Sequence, residues 1–132
     1  MTSTAVARIV VQLAVGAEVK MRVGIDIVFA PRMNEMKASF VQKNFTVYEI
    51  TYITQIEKSF AGFFAAKEAF LKAIGVGVLN GIDLKDVEVR HKDSGQPYLN
   101  VAPEIMKKHK IKDISLSISH DGDYATAIVA VM

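Results

Sequence analysis

The chain has 132 residues, of which 51% are hydrophobic and 23% charged, a composition typical of one folded domain. It contains no cysteine, which excludes disulfide scaffolds, thiolate zinc sites and cysteine nucleophiles and is compatible with a cytoplasmic protein. The formal net charge of +2 argues against a dedicated binder of duplex DNA, and no apolar run reaches the about 18 residues of a membrane span. We therefore expect neither nucleic acid nor a membrane as a partner.

Residues 1–20 differ in character from the rest of the chain. Residues 5–15 are apolar but are interrupted by one arginine and one glutamine. The residues before them carry no positive charge, and those after them form a poor cleavage site, so we do not expect a signal peptide. Two interpretations stay open: a helix or strand added to the core, and a translation start at Met21. We treat residues 1–20 as an extension of uncertain origin and residues 21–132 as the domain.

The remaining sequence alternates between strand and helix patterns. In chain order it predicts a buried strand at 23–29, two helical pieces within 34–52, a helix at 59–74, strands at 87–91 and 98–101, a helix at 103–109, and strands at 114–119 and 124–131. The turn formers at 93–95 and 121–122 join neighbouring strands into hairpins. This order predicts an α+β fold with antiparallel strands rather than a series of βαβ units.

Local signals mark the ends of the helices. Thr46 followed by Glu49 is a capping-box pattern, which predicts that a helix begins near Thr46. Ser59 can cap the long helix, and Gly75 can end it in a left-handed conformation. The helix at 103–109 begins with proline, as helices often do.

Asp26 is an acidic residue within an otherwise apolar strand. A buried carboxylate without a partner is costly, so Asp26 must be paired with a charge, hydrogen-bonded or bound to a metal. The alternative to a functional role is a hydrogen bond to a nearby backbone turn.

The helix at 59–74 carries both apolar and charged residues in a regular arrangement. At about 100° per residue, one stripe contains Phe60, Phe63, Phe64, Phe70, Leu71 and Ile74. Lys67 falls near the centre of this stripe, and Glu68 and Lys72 fall together at its edge. A carboxylate at that edge is well placed to hold a hard cation. The alternative for Glu68 and Lys72 is an ordinary ion pair four residues apart. The alternative for Lys67 is a side chain whose methylene groups pack on the phenylalanines while its ammonium reaches water.

His120 lies beside the predicted turn at 121–122. Ser119 and a second serine share one face of the strand before it, so polar groups gather at that end. A metal cluster of His120, Asp121 and Asp123 is an alternative, although an Asp-Gly hairpin needs no metal.

Several common catalytic motifs are absent from the sequence. It has no Walker loop, no Rossmann fingerprint and no nucleophile elbow. The other two histidines, His91 and His109, lie among charged residues and carry no functional signal.

Three segments in this order resemble holo-acyl-carrier-protein synthase, the small bacterial type of 4′-phosphopantetheinyl transferase. They are GIDIVFAPR at 24–32, FAGFFAAKEAFLKAIGVG at 60–77 and SLSISHDGDYATAIV at 115–129. The hairpin DSGQPY at 93–98 also resembles the substrate-side hairpin of the family. The likeness runs from Met21 onward, and FAAKEAFLKA is its most specific part.

The resemblance implies transfer of phosphopantetheine from coenzyme A to a serine of apo acyl carrier protein, with Mg²⁺ required. The other product is adenosine 3′,5′-bisphosphate. By the same resemblance, Asp26 and Glu68 hold the metal with the pyrophosphate, and Lys72 approaches the phosphates. The serine proton can pass to Asp26, or to Glu68 through a metal-bound water, and the sequence leaves both open.

The resemblance also assigns binding residues. Those for coenzyme A are Lys72, Gly75, Gly95, Pro97, Ser119 and His120, and those for the carrier protein are Arg32 and Met36. Carrier proteins are acidic, so Arg22, Arg32, Lys37 and Lys43 can steer them, and Met33 or Met36 can add an apolar contact. Whether the carrier belongs to fatty-acid or polyketide synthesis stays open.

The sequence departs from the family pattern at two positions. Phe63 stands where the family usually has a basic residue, and Phe29 stands where an acidic residue is common. Phe63 alone supports the alternative to an enzyme, a non-catalytic homologue that binds coenzyme A or a carrier protein. The resemblance further implies a phosphopantetheinyl transferase-like fold, an antiparallel sheet against a long central helix, and a homotrimer with sites between subunits.

Overall fold

The computed structural model describes residues 20–56, 58–77 and 81–132, so the extension predicted for residues 1–20 lies outside the described residues except for Lys20. The described part contains five helices and five strands. In chain order they are β1 (Arg22–Phe29), α1 (Ala30–Met33), α2 (Ala38–Asn44), α3 (Val47–Gln55), α4 (Ser59–Ala73), β2 (Val87–His91), β3 (Pro97–Val101), α5 (Pro103–Lys108), β4 (Ile114–Asp121) and β5 (Tyr124–Val131). A short 3₁₀ helix, Leu84–Asp86, precedes β2. Within these residues, no helix is both long and apolar enough to cross a bilayer.

The strands form two antiparallel sheets. The larger sheet has the order β1-β5-β4, and the smaller sheet is the β2-β3 hairpin. Helix α4 packs across β1 and β5 and also contacts β2, so it lies between the two sheets. The α+β fold and the antiparallel sheet against a long central helix are confirmed.

The apolar sequence of β1 predicts a buried strand, but only one of its two faces is buried. Gly24 and Val28 point toward α4, whereas Val23, Ile25 and Ile27 are 54–63% exposed on the opposite face. Successive residues of a strand point to opposite faces, and residues 20–56, 58–77 and 81–132 place no second layer over the outer face. The apolar outer face therefore has no cover within the described part of the chain.

Small residues bring β1 and α4 close together. Ala65, Ala66 and Ala69 of α4 are fully buried, and Gly24 of β1 lies against the α4 backbone. A Cβ atom on Gly24 would collide with Ala69 O and would lie 2.6 Å from Ala73 N. This close approach places the side chain of Asp26, two residues after Gly24, beside α4.

The predicted helix ends are confirmed at two positions and wrong at a third. Thr46 and Glu49 form the complete capping box of α3. Gly75 adopts a φ of 73° after α4, and the amide of Val76 donates to Leu71 O at 2.9 Å. Ser59, however, is the first residue of α4 rather than its cap, and no side chain caps the helix at the preceding Lys58. Helix α1 and the 3₁₀ helix were not predicted, because each spans one turn or less.

Candidate active site

The acidic residue of β1 meets the polar edge of α4. Lys72 Nζ lies 2.9 Å from Asp26 Oδ1 and donates to Ile25 O at 3.1 Å. The Asp26 side chain is 16% exposed and that of Lys72 is 56% exposed, so the pair lies at the surface. The expected ion pair between Lys72 and Glu68 is therefore wrong, because Lys72 pairs with Asp26. The alternative for Asp26, a hydrogen bond to a backbone turn, is also wrong, because its carboxylate accepts from the Lys72 ammonium.

Glu68 is electrostatically coupled to this pair. Its pKa is raised, first by burial and second by the negative charge of Asp26, while Lys72 opposes the shift. The fold thus brings together two carboxylates that lie 42 residues apart in the sequence and repel each other. A bound cation would relieve this repulsion, and carboxylate oxygens suit a hard divalent ion. No cluster of three metal-ligating side chains forms in the described part of the chain, so such an ion needs further oxygen from water or a ligand.

Ser119 and His120 lie at a different place, the turn end of β4 and β5. A cavity of about 260 Å³ there is lined by Ile27, Ser119, His120, Asp121, Tyr124 and Thr126. His120 Nε2 lies 3.2 Å from Lys58 O, and the ring packs beside Gly62 of α4. Asp26, Glu68 and Lys72 do not line this cavity. The alternative cluster of His120, Asp121 and Asp123 is not formed as a metal site, although all three residues are described.

The glycines and proline predicted to bind coenzyme A occupy two further places. Gly75 follows α4 three residues after Lys72, and so lies at the same end of that helix. Gly95 has a φ of 89° in the turn between β2 and β3, and Pro97 is the first residue of β3. The hairpin residues therefore belong to the smaller sheet rather than to the β1–α4 contact.

The basic and apolar residues predicted to meet a carrier protein lie around α1 and α2. Arg32 is exposed, and Met36 is half-buried at a groove of about 450 Å³. The residues lining this groove are Glu35, Met36, Lys37, Ser39, Phe40 and Lys43. Met33 is only 2% exposed, so an apolar surface contact is left to Met36. Arg22 donates a hydrogen bond to His109 O at 2.9 Å, which engages it within the chain.

Phe63 and His91 belong to an aromatic cluster that the sequence did not reveal. Phe63 is 2% exposed and packs against the rings of Tyr52 and His91, with centroid distances of 5.4 and 5.5 Å. The rings of Tyr52 and His91 stack at 4.1 Å with an angle of 6° between their planes. Burial lowers the pKa of His91, which favours the neutral imidazole. Phe63 therefore fills space in the interior at a position where a basic residue was expected.

Lys67 is also placed differently from its prediction. Its ammonium is fully buried and pairs with Glu49, so the interpretation of a lysine reaching water is wrong. The capping box identified Glu49 only as a helix-end residue, and nothing in the sequence linked it to Lys67.

Comparison with known proteins classifies the chain. Residues 22–129 match the profile of the 4′-phosphopantetheinyl transferase superfamily. A holo-[acyl-carrier-protein] synthase of Campylobacter hominis is 38% identical over 117 residues, covering 81% of this chain and 94% of that protein. The chain belongs to the holo-[acyl-carrier-protein] synthases, a family of phosphopantetheinyl transferases. A second synthase, from Halothermothrix orenii, is 41% identical over 117 residues and covers 81% of this chain.

Solved synthase structures share the fold. The Helicobacter pylori holo-[acyl-carrier-protein] synthase in complex with coenzyme A has a TM-score of 0.78 and 33% identity, covering 83% of this chain and 99% of that one. The Bacillus anthracis synthase in complex with CoA (3′,5′-ADP) has a TM-score of 0.71 and 33% identity, covering 85% of this chain and 97% of that one. The expectation of a synthase fold is confirmed.

Proposed function

We propose that this chain transfers 4′-phosphopantetheine from coenzyme A to a serine hydroxyl of an apo acyl carrier protein. The serine oxygen forms a bond to the phosphorus that carries the pantetheine group, and the bond from that phosphorus to the bridging pyrophosphate oxygen breaks. The products are holo acyl carrier protein and adenosine 3′,5′-bisphosphate. The observation that carries the proposal is the convergence of Asp26, Glu68 and Lys72 where β1 meets α4.

The charges at this site suit phosphoryl transfer, which depends on charge neutralisation and alignment more than on a covalent nucleophile. Asp26 and Glu68 would hold Mg²⁺, which prefers oxygen ligands and retains several waters. When bound, the ion supplies positive charge against the pyrophosphate oxygens. Lys72 adds a second positive charge, and its exposed ammonium can contact an entering phosphate.

The serine proton has two candidate acceptors, Asp26 and, through a metal-bound water, Glu68. Without a bound cation, burial and the charge of Asp26 raise the pKa of Glu68, and a cation held by both carboxylates would oppose this shift. Lys72 already holds Asp26 through a hydrogen bond of 2.9 Å.

The groove at α2 supports docking of an acidic carrier protein. Lys37 and Lys43 line this groove together with the apolar residues Met36 and Phe40. Arg32 adds an exposed charge from α1. Basic residues around an apolar centre fit an acidic surface with an exposed apolar side chain, and the charges would mainly raise the association rate.

The outer face of the large sheet supports assembly into a homotrimer. Its exposed apolar residues are Val23, Ile25, Ile27, Phe29, Tyr124 and Ile128. Large exposed apolar patches on a folded protein commonly mark an interface. Ser119 shares this face with Ile27 and Thr126 through the strand register, so a second copy would also cover the cavity beside His120. A site completed between copies explains why Ser119 and His120 lie apart from Asp26 within one chain.

The test is incubation of the protein with coenzyme A, Mg²⁺ and an apo acyl carrier protein, followed by mass spectrometry of the carrier. We expect one phosphopantetheine group on one serine. Asp26→Ala and Glu68→Ala should each abolish the transfer and remain folded by circular dichroism. Glu104→Ala, which removes an exposed carboxylate from α5, serves as the matched control and should keep full activity.

Two results would count against this proposal. Binding of coenzyme A without modification of any apo carrier protein tested would favour a non-catalytic binding homologue. Near-full activity in either acidic variant would overturn the assignment of Asp26 and Glu68.

A further inference from the structure

The centre of the protein holds a fully buried ion pair next to the proposed site. Lys67 Nζ lies 2.8 Å from Glu49 Oε1, and both side chains are 0% exposed. The ammonium also donates to Leu84 O at 2.8 Å and to Val87 O at 2.9 Å. All three of its protons are therefore used, as the charged form of a buried lysine requires.

Both carboxylate oxygens of Glu49 also accept hydrogen bonds. Its Oε1 also accepts from the amide of Thr46 at 2.9 Å, and its Oε2 accepts from the amide of Val89 at 3.0 Å. The network thereby joins the start of α3, the middle of α4, the 3₁₀ helix and β2. Among the residues that the structure describes, no buried side-chain nitrogen or oxygen lacks a partner.

Stability alone does not account for such a pair. Removing two charges from water is expensive, and well-packed apolar residues of similar volume are often equally or more stabilising. What the pair adds is a fixed orientation, because three hydrogen bonds from Lys67 and two further ones to Glu49 hold the pair against α3, the 3₁₀ helix and β2. Lys67 directly precedes Glu68, and Lys72 follows five residues later on the same helix.

We propose that Glu49 and Lys67 are positioning residues, whose buried ion pair fixes the rotation of α4 so that Glu68 and Lys72 stay aimed at Asp26. A rotation of about 20° would move an atom at the outer radius of a helix, about 5–6 Å from its axis, by about 2 Å. Misplacement of catalytic groups by about 1 Å can cost roughly a hundredfold in rate. This inference rests on the proposed function of the same site.

The test is the double variant Glu49→Gln/Lys67→Met, which removes both charges and keeps similar volumes. The single variant Lys67→Met leaves a buried carboxylate without its ion-pair partner and is expected to fold poorly. We expect the double variant to fold, with kcat lowered roughly tenfold to a hundredfold and KM for the apo carrier protein within about twofold of wild type. The carrier groove at α2 lies outside the network, so its binding should be kept.

A matched control separates positioning from loss of stability. Val131→Ala truncates a fully buried residue of β5 that takes no part in the network. Compared at equal fractions of folded protein, Val131→Ala should keep its kcat. Equal losses in the two variants, or a wild-type kcat in the double variant, would overturn the inference.

A crystal structure of the double variant distinguishes failure of this inference from failure of the proposed function. We expect the distance from Lys72 Nζ to Asp26 Oδ1 to increase from its value of 2.9 Å. An unchanged distance and an unrotated α4 would overturn the inference even if the wild-type protein transferred nothing. A wild-type protein without transferase activity whose variant shows a rotated α4 would overturn only the proposed function.

Discussion

Lys72 Nζ lies 2.9 Å from Asp26 Oδ1, although the two residues are 46 positions apart and Lys72 has a carboxylate four residues away on its own helix. The contact exists because Gly24 and the alanines of α4 let β1 approach the helix backbone. It ties the geometry of the proposed site to the packing of one strand against one helix.

The first prediction concerns Lys72→Met, which keeps the stem of the side chain and removes its charge. The pair with Asp26 is largely exposed on the lysine side, so its loss should reduce the free energy of unfolding by at most about 1 kcal/mol. The loss of positive charge beside the phosphates should lower kcat roughly a hundredfold. Urea unfolding and initial rates measure the two effects. A variant that loses stability and activity in proportion would show that the pair is structural.

The second prediction concerns Glu68→Gln without added metal. The pKa of Glu68 is raised in the folded state by burial and by Asp26, so the folded protein binds this proton more readily than the unfolded chain. Its contribution to stability therefore falls as pH rises above the unfolded pKa. Glu68→Gln should raise the free energy of unfolding at pH 7 and leave it unchanged near pH 3, well below the unfolded pKa of about 4.3, where the carboxyl is largely protonated in both states. Denaturant unfolding at both pH values measures this, and an equal gain at both would contradict it.

The third prediction compares two glycines. In Gly24→Ala the new methyl group meets backbone atoms of α4, which cannot move aside, so we expect a loss of about 1–3 kcal/mol together with reduced activity. In Gly62→Ala it meets only side-chain atoms of His120 and Ile118, each at 3.1 Å, while the helix gains up to about 1 kcal/mol of intrinsic propensity. Gly62→Ala should therefore be clearly the more stable variant in urea unfolding. The reverse order would show that β1 does not depend on the close approach at Gly24.

The fourth prediction concerns the outer face of the large sheet. Ile25 is 60% exposed and lies opposite Ile128, which is 45% exposed. Ile25→Lys should convert a trimeric protein into monomers, because the buried ammonium groups would cost more than the apolar contact returns. Sedimentation velocity measures the masses, with Thr54→Lys on the exposed side of α3 as the control that should stay trimeric. A monomeric wild-type protein at micromolar concentration would contradict the trimer.

The sequence by itself determined the family and every element longer than about one turn. Strand alternation, the capping box at Thr46 and Glu49, and Gly75 after the long helix act over four or five residues, so they could be recognised before any packing was known. The segment around Glu68 and Lys72 carried the family resemblance for the same reason, since its chemistry-bearing residues are close in the chain.

Tertiary structure alone decided what each side chain contacts. Lys72 pairs with Asp26 rather than with Glu68, and Lys67 lies inside the protein rather than reaching water. His91 is half-buried and stacks on Tyr52 although its sequence neighbours are charged. These outcomes depend on which distant elements pack together, and periodicity along one element carries no information about that. The outer face of β1 is exposed within the described residues, and the proposed trimer would cover it.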